Sequence, residues 1–187
     1  MKYLLLISIL GFVACTQPVK LSQPVKQKAY VIDTSRYAIL KFDNERDHYY
    51  FDKNAKATSL SAEDVLKIEN LINEKINQYN KGQKESDSLL NKMFKERHPN
   101  SNTVYSNSVT RNPSQYYTQL IATINTNSEK IVYVNCFCSA SAKSSTDDKY
   151  YWQKEIITVD DGGNCYFQLK INLTKGIIYD FMVNGVA

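Results

Sequence analysis

Three cysteines in the second half of the chain, Cys136, Cys138 and Cys165, and the two histidines, His48 and His98, are the residues whose types suit nucleophilic or metal chemistry. A cysteine nucleophile acts as its thiolate and needs a base such as His48 or His98 within hydrogen-bond reach. Neither histidine lies near a cysteine in sequence: His48 sits in a polar, aromatic stretch (residues 43–54) and His98 directly precedes Pro99. Both read as surface histidines, so no catalytic residue is assigned. Cys136-x-Cys138 with Cys165 offers three thiolates, but structural zinc sites prefer other ligand spacings and no histidine stands nearby, so neither a metal nor another cofactor is expected. Asp147-Asp148 and Asp160-Asp161 lack the spaced oxygen ligands of a calcium loop, and turn formation accounts for Asp160-Asp161-Gly162-Gly163-Asn164. The chain has no glycine-rich phosphate loop, no Gly-x-Ser-x-Gly and no His-Glu-x-x-His. A non-enzymatic binding or structural module is therefore expected. The alternative is a cysteine-dependent hydrolase or thiol redox enzyme, which requires a solvent-open Cys165 or Cys138 beside His48 or His98.

Alternation places the sulfurs. Val132, Val134, Cys136 and Cys138 share one face of a strand-like run; Cys165, Phe167, Leu169, Ile171 and Leu173 share one face of another, and that face is apolar enough to point inward. In an oxidising compartment Cys165 would bond either Cys136 or Cys138, leaving the third as a buried thiol. Aromatic clusters are the other candidates. Tyr49-Tyr50-Phe51, Tyr116-Tyr117 and Tyr150-Tyr151-Trp152 each send neighbours to opposite faces of an extended chain. Tyr116, Tyr117, Tyr150 and Tyr151 are the candidate binding aromatics for a glycan, a peptide or a partner protein, although tyrosine is also simply a good strand former.

The elements that must position these groups follow from periodicity. Residues 61–80 predict a helix: Ser61 caps it with Asp64 three residues on, and Ala62, Val65, Ile68, Ile72, Ile76 and Tyr79 recur at helical spacing. Gly82 is expected to close it. A second helical piece, residues 87–97, gathers Leu89, Leu90, Met93 and Phe94 and stops at His98-Pro99. Residues 37–42 form an early strand, with residues 29–32 a second candidate. Residues 117–124 and 130–138 read as strands of a longer-looped hairpin, and residues 100–114 as an irregular loop. At the C-terminus the Gly162-Gly163 pair predicts a tight hairpin that pairs Trp152 with Leu173, Ile156 with Leu169, Thr158 with Phe167, Asp160 with Cys165 and Glu155 with Lys170. A last strand follows Thr174-Lys175-Gly176. The fold class is α+β: an antiparallel sheet of about five to six strands with one long amphipathic helix packed on it.

With 187 residues, 43% hydrophobic and 22% charged, the chain has room for one globular domain and an N-terminal extension. The net charge is +4, spread without a basic stripe, so nucleic acid is not an expected partner. Met1-Lys2 precedes an apolar run too short to span a bilayer, the pattern of a signal peptide over residues 1–14. Phe12-Val13-Ala14-Cys15 resembles a bacterial lipobox with Phe in place of the usual Leu, so Cys15 is the expected lipidation site and the membrane the expected partner. Residues 15–28, with two prolines and no aromatic residue, suit a polar tether, and residues 29–187 form the globular domain. These features place the chain in the cell envelope, lipid-anchored and facing the periplasm.

The pattern Val134-Asn135-Cys136-Phe137-Cys138, Trp152, Asp161-Gly162-Gly163-Asn164-Cys165-Tyr166-Phe167 and Asn184-Gly185-x-Ala187 resembles small lipoproteins of uncharacterised role from Bacteroidota-type bacteria. The resemblance covers residues 116–187 and implies localisation and domain boundaries only. The order of helix then antiparallel strands is also similar to cystatin-like domains. Their Gln-x-Val-x-Gly hairpin is missing here, so the similarity does not imply inhibitor function.

Overall fold

The computed structural model describes residues 29–106, 108–109, 115–138 and 150–185. Residues 1–28, which hold the expected signal peptide, Cys15 and the expected tether, lie outside the described residues, as do residues 139–149. In chain order the elements are β1 (Tyr37–Leu40), α1 (Asn44–Asp47), β2 (Lys56–Ala57), α2 (Ala62–Arg97), β3 (Tyr116–Ile124), β4 (Lys130–Cys138), β5 (Tyr166–Asn172) and β6 (Ile177–Val183), with single 3-10 turns at Tyr151–Gln153 and Gly163–Cys165.

Helix α2 starts where local chemistry dictates. The Ser61 hydroxyl accepts the Asp64 N–H at 3.1 Å while the Asp64 carboxylate accepts the Ser61 N–H at 3.0 Å, so two otherwise orphaned donors are satisfied reciprocally. Val65, Ile68, Ile72 and Ile76, all buried, then press one stripe onto the sheet. The helix does not stop at Gly82. It runs 36 residues to Arg97, absorbing the second predicted helical piece, and at 1.5 Å per residue it is about 54 Å long. Gly82 is not among the glycines with left-handed backbone, which are Gly162, Gly163 and Gly176. A helical glycine costs roughly 0.5–1 kcal/mol against alanine. Tertiary hydrogen bonds on both sides of Gly82 offset that cost, because the chain after Pro99 folds back along the helix. Asn80 Nδ2 donates to Val109 O at 2.6 Å, Asn91 exchanges two hydrogen bonds with the Tyr105 backbone at 2.8 and 2.7 Å, and the Ser106 and Ser108 hydroxyls donate to Asp87 at 3.1 and 3.2 Å. The segment expected to be an irregular loop is thus tied to the helix at Ser101, Tyr105, Ser106, Ser108 and Val109.

Among the described residues the sheet has six strands, in the order β1-β3-β4-β5-β6 with β2 paired to β3 beside β1. Strands β3 to β6 form an antiparallel meander, whereas β1 runs parallel to β3, Tyr37 opposite Thr118. The β3–β4 hairpin closes as expected over residues 125–129, where Asn125 Oδ1 accepts the Asn127 and Glu129 N–H groups at 3.0 and 2.9 Å. One sheet face packs on α2, joining Leu120, Val132, Val134, Phe167, Leu169 and Ile171 to the helix stripe. Residues 29–32 form no strand; Tyr30 instead donates to Glu69 of α2 at 3.1 Å, as Tyr37 does from β1.

The predicted C-terminal hairpin does not form. Strand β5 pairs with β4 on one side and β6 on the other, so no edge remains for residues 150–160, and the five predicted cross-strand pairs are absent. Gly162 (φ 99°) and Gly163 (φ 58°) do take the left-handed backbone of a turn, but they lead into the 3-10 turn before β5. Residues 150–157 lie across the second sheet face, where Trp152, Ile156 and Ile157 cover Ile121, Tyr133 and Phe137. Two buried amides make this possible. Gln119 Nε2 donates to Trp152 O at 2.6 Å and Glu155 O at 2.7 Å, and its oxygen accepts the Ile157 N–H at 2.9 Å; Asn135 Nδ2 donates to Ile157 O at 2.8 Å and to Gln119 Oε1 at 2.9 Å. Side chains from β3 and β4 therefore give this segment the partners that an adjacent strand would have supplied. The C-terminus locks the turn below it: Gly163 N–H donates to Gly185 O at 2.9 Å, and Asn184 Nδ2 to Val159 O and Asp161 O at 2.6 and 3.1 Å.

Candidate functional site

Register decides the fate of the sulfurs. Phe137 faces Tyr166 and Cys136 faces Phe167 across β4 and β5, so one step beyond the last pair brings Cys138 and Cys165 together. They are joined as a disulfide with an S–S distance of 2.06 Å and 5.2 Å between Cα atoms. Cys136 remains a free thiol, fully buried, with Thr118 Oγ1 3.6 Å from its sulfur. Burial pushes that thiol up to about 12, since the apolar surroundings disfavour the thiolate. Both histidines are exposed and engaged elsewhere: His48 Nδ1 donates to Glu45 O at 2.7 Å, and the His98 ring lies 4.6 Å from that of Phe94. The structure does not bring either histidine into contact with a cysteine. Among the described residues no group of three or more His, Cys, Asp or Glu side chains could hold a metal ion.

The four tyrosines singled out in the sequence do not share a site. Tyr116 is buried in the helix-side core, its hydroxyl donating to Asn164 O at 2.8 Å and its ring edge-on to Phe167. Tyr117 is half-buried on the opposite face between Phe137 and Trp152, at 5.8 and 4.9 Å. Tyr151 is half-buried in the 3-10 turn, and Tyr150, just before it, is exposed. Packing across the two sheet faces therefore uses Tyr116 and Tyr117 as core residues.

A concave, partly polar surface lies instead on the second face, where Tyr49-Tyr50-Phe51 meets β4, β5 and β6. Local capping builds it. The Asp43 carboxylate accepts the Glu45 and Arg46 N–H groups at 2.9 and 3.1 Å, bonds that hold its pKa below the usual carboxylate range. Arg46 pairs with the buried Asp47 at 2.6 Å and also donates to Lys41 O, pinning α1 to the end of β1. The chain leaving α1 then lays Tyr50 on Tyr133, with ring centroids 4.0 Å apart and planes 23° apart, while Phe51 meets Phe42 edge-on. Tyr133 donates its hydroxyl proton to Gln168 Oε1 at 2.5 Å, and burial raises its phenol pKa strongly. That acceptance fixes the Gln168 amide so that its NH2 is the end left to donate. Beside it Lys170 Nζ lies 3.2 Å from Asp180 Oδ2.

The β5–β6 pairing is irregular at this point. Lys170 faces Tyr179 but Gln168 faces Met182, so β6 carries an extra residue, and Asp180 within the bulge has φ 53°. A non-glycine residue in the left-handed region stores roughly 1–2 kcal/mol of strain. The bulge turns Asp180 toward Lys170, while Phe181 returns to the helix side against Tyr79 at 5.2 Å. Two adjoining hollows result. The larger, about 500 Å³, is lined by Tyr49, Tyr50, Tyr133, Gln168, Lys170 and Asp180 among others; the smaller, about 170 Å³, reaches Phe51, Asp52 and Tyr179. Tyr49 stands at their shared rim, 80% exposed, its ring held 3.8 Å from that of His48. The aromatic triplet was visible in the sequence; Gln168, Lys170 and Asp180 carried no signal, because only the strand register and the bulge assemble them.

No helix among the described residues is long and apolar enough to cross a membrane. Comparison with family models, with curated proteins and with solved structures gave no match, so this geometry stands as the basis for a functional reading.

Proposed function

We propose that the chain is a lipid-anchored module of the bacterial envelope, facing the periplasm, that binds a ligand without catalysis in the cleft between Tyr49-Tyr50 and β6. One observation carries the binding reading. A tyrosine ring 80% exposed is clamped by His48 at the rim of a hollow whose walls hold an amide, an ammonium and a carboxylate. An exposed ring fixed in place loses rotamer freedom without gaining burial, and a ligand laid on it supplies that burial at low further ordering cost. The anchor reading rests on Met1-Lys2, the short apolar run and Cys15, and on the resemblance of residues 116–187 to small envelope lipoproteins.

Envelope extract incubated with the mature chain and with its Tyr49→Ala variant tests the cleft. Bound molecules are released and identified by mass spectrometry. A ligand held by the parent chain and lost from the variant is expected; equal retention by both would refute the cleft as the site. The mass of the mature N-terminus tests the anchor, which requires diacylglycerol on Cys15.

A further inference from the structure

Resting on the reading of the cleft as a ligand site, we infer that its ligand is an uncharged oligosaccharide, with Tyr49 as the stacking platform and Gln168, Lys170 and Asp180 as the hydroxyl-binding groups. Sugar rings present an apolar face of axial C–H groups, whose slight positive charge suits the negative face of an aromatic ring, and a rim of hydroxyls that both donate and accept. The cleft matches both halves of that description. Tyr49 offers an exposed ring already oriented by His48. Lys170 is a donor, Asp180 an acceptor, and Gln168 has its oxygen occupied by Tyr133 and its NH2 left as a donor.

The same surface argues against other ligand classes. A peptide added to the outer edge of β6, unpaired among the described residues, needs a regular row of backbone donors and acceptors, and the bulge at Asp180 breaks that row midway along the strand. A phosphate-rich ligand needs clustered cations; among the described residues lining the two hollows Lys170 is the one cation, and Asp180 already neutralises it. A wholly apolar ligand would leave the Lys170–Asp180 pair and the Gln168 amide desolvated against it. A neutral polyhydroxylated ring meets every group present.

The test is saturation-transfer NMR and titration calorimetry on the purified mature chain with chitotetraose, maltotetraose, cellotetraose and a tetra-alanine peptide. At least one saccharide is expected to bind, with saturation strongest on its ring C–H protons. Tyr49→Ala is expected to weaken it at least tenfold, while Tyr49→Phe, which keeps the ring, stays within about threefold. Asp180→Gly removes the carboxylate while relieving the positive φ, so a severalfold loss of affinity in that variant cannot be traced to a damaged fold. Cleft-dependent binding of the peptide alone would overturn the saccharide inference and leave the cleft reading intact. Saccharide binding unchanged in all three variants would overturn the cleft itself. Absence of saccharide binding at millimolar concentration would overturn the inference.

Discussion

Replacing Gln119 by Leu isolates the device that holds residues 150–157 on the sheet. Gln119 is 1% exposed and makes four hydrogen bonds: to the carbonyls of Trp152 and Glu155, from the Ile157 N–H, and from the Asn135 amide. Leucine fills a similar volume, so the packing loss is small and the change is almost wholly polar. Asn135 keeps its bond to Ile157 O and Glu155 lies at the surface, where water replaces the lost partner. The Trp152 carbonyl and the Ile157 N–H have no such substitute, and each stranded group costs about 1–3 kcal/mol. The expected destabilisation is about 3–4 kcal/mol, a fall in Tm of roughly 6–15 °C for a chain of this size. Trp152 is the single tryptophan and is 4% exposed, so it reports the state of this cover directly. Its emission should shift to the red and its quenching by acrylamide should rise, while the helical circular dichroism from α2 persists. A loss below about 1 kcal/mol with Trp152 emission unchanged would refute the claim that side-chain amides replace a strand partner here.

Three further outcomes follow from the same geometry. Reducing the Cys138–Cys165 disulfide, which are 27 residues apart, should cost about 3.5 kcal/mol from loop-closure entropy, measured as the shift in urea midpoint with and without reductant; Cys136, being buried, should remain unreactive to thiol reagents until the chain unfolds. Gly162→Ala should destabilise by about 2 kcal/mol or more in the same assay, because φ is 99° and an added Cβ would overlap the Tyr166 ring. Burial pulls the Asp64 carboxyl up, but hydrogen bonds from Lys130 Nζ at 2.7 Å and from Ser61 outweigh it and hold the folded-state pKa below the usual value. A depressed folded-state pKa adds stability that is fully present above the unfolded value near 4 and is lost as pH falls through the folded value. Lys130→Met should therefore flatten the acid limb of the stability–pH curve below about pH 4, as followed by denaturant titration at stepped pH.

What could be read from the sequence was what local chemistry decides. The Ser61–Asp64 capping box spans four residues, and nothing distant can countermand it. Alternation in 130–138 and 165–173 assigned the inward faces, because a period of two is fixed by the strand backbone itself. Alternation does not say whether an apolar segment pairs along an edge or lies across a face, and residues 150–160 took the second course. The deciding groups, Gln119 and Asn135, stand 33 and 22 residues from the carbonyls they serve at Trp152 and Ile157, with no local trace in the segment they hold. Gly82 misled for a related reason: glycine permits a stop, and the hydrogen bonds of Tyr105, Ser106, Ser108 and Val109 to Asn91, Asp87 and Asn80 keep the helix going. The cleft was half legible, since Tyr49 announced itself by type, while Asp180 owes its place to a bulge in which no glycine appears.

The parallel seat of β1 beside β3 carries an expected order of events for the chain as it folds. The β3–β4 and β5–β6 pairs close over five and four residues, residues 125–129 and 173–176, so each of these hairpins can form from near neighbours, while β4 and β5 meet across the 27 residues between Cys138 and Tyr166. Strand β1 reaches β3 only across roughly 75 residues that include all of α2, and its closure costs about 2.4 kcal/mol more in loop entropy than that of β3–β4. With four residues it gains little until Tyr37 and Tyr30 find Glu69 and Arg36 finds the Tyr116 carbonyl. On loop entropy, the first strand in the chain is therefore expected to be the last one seated, after the meander and the helix have met, and pulse-labelled hydrogen exchange that protected β1 before β3 and β4 would contradict that order.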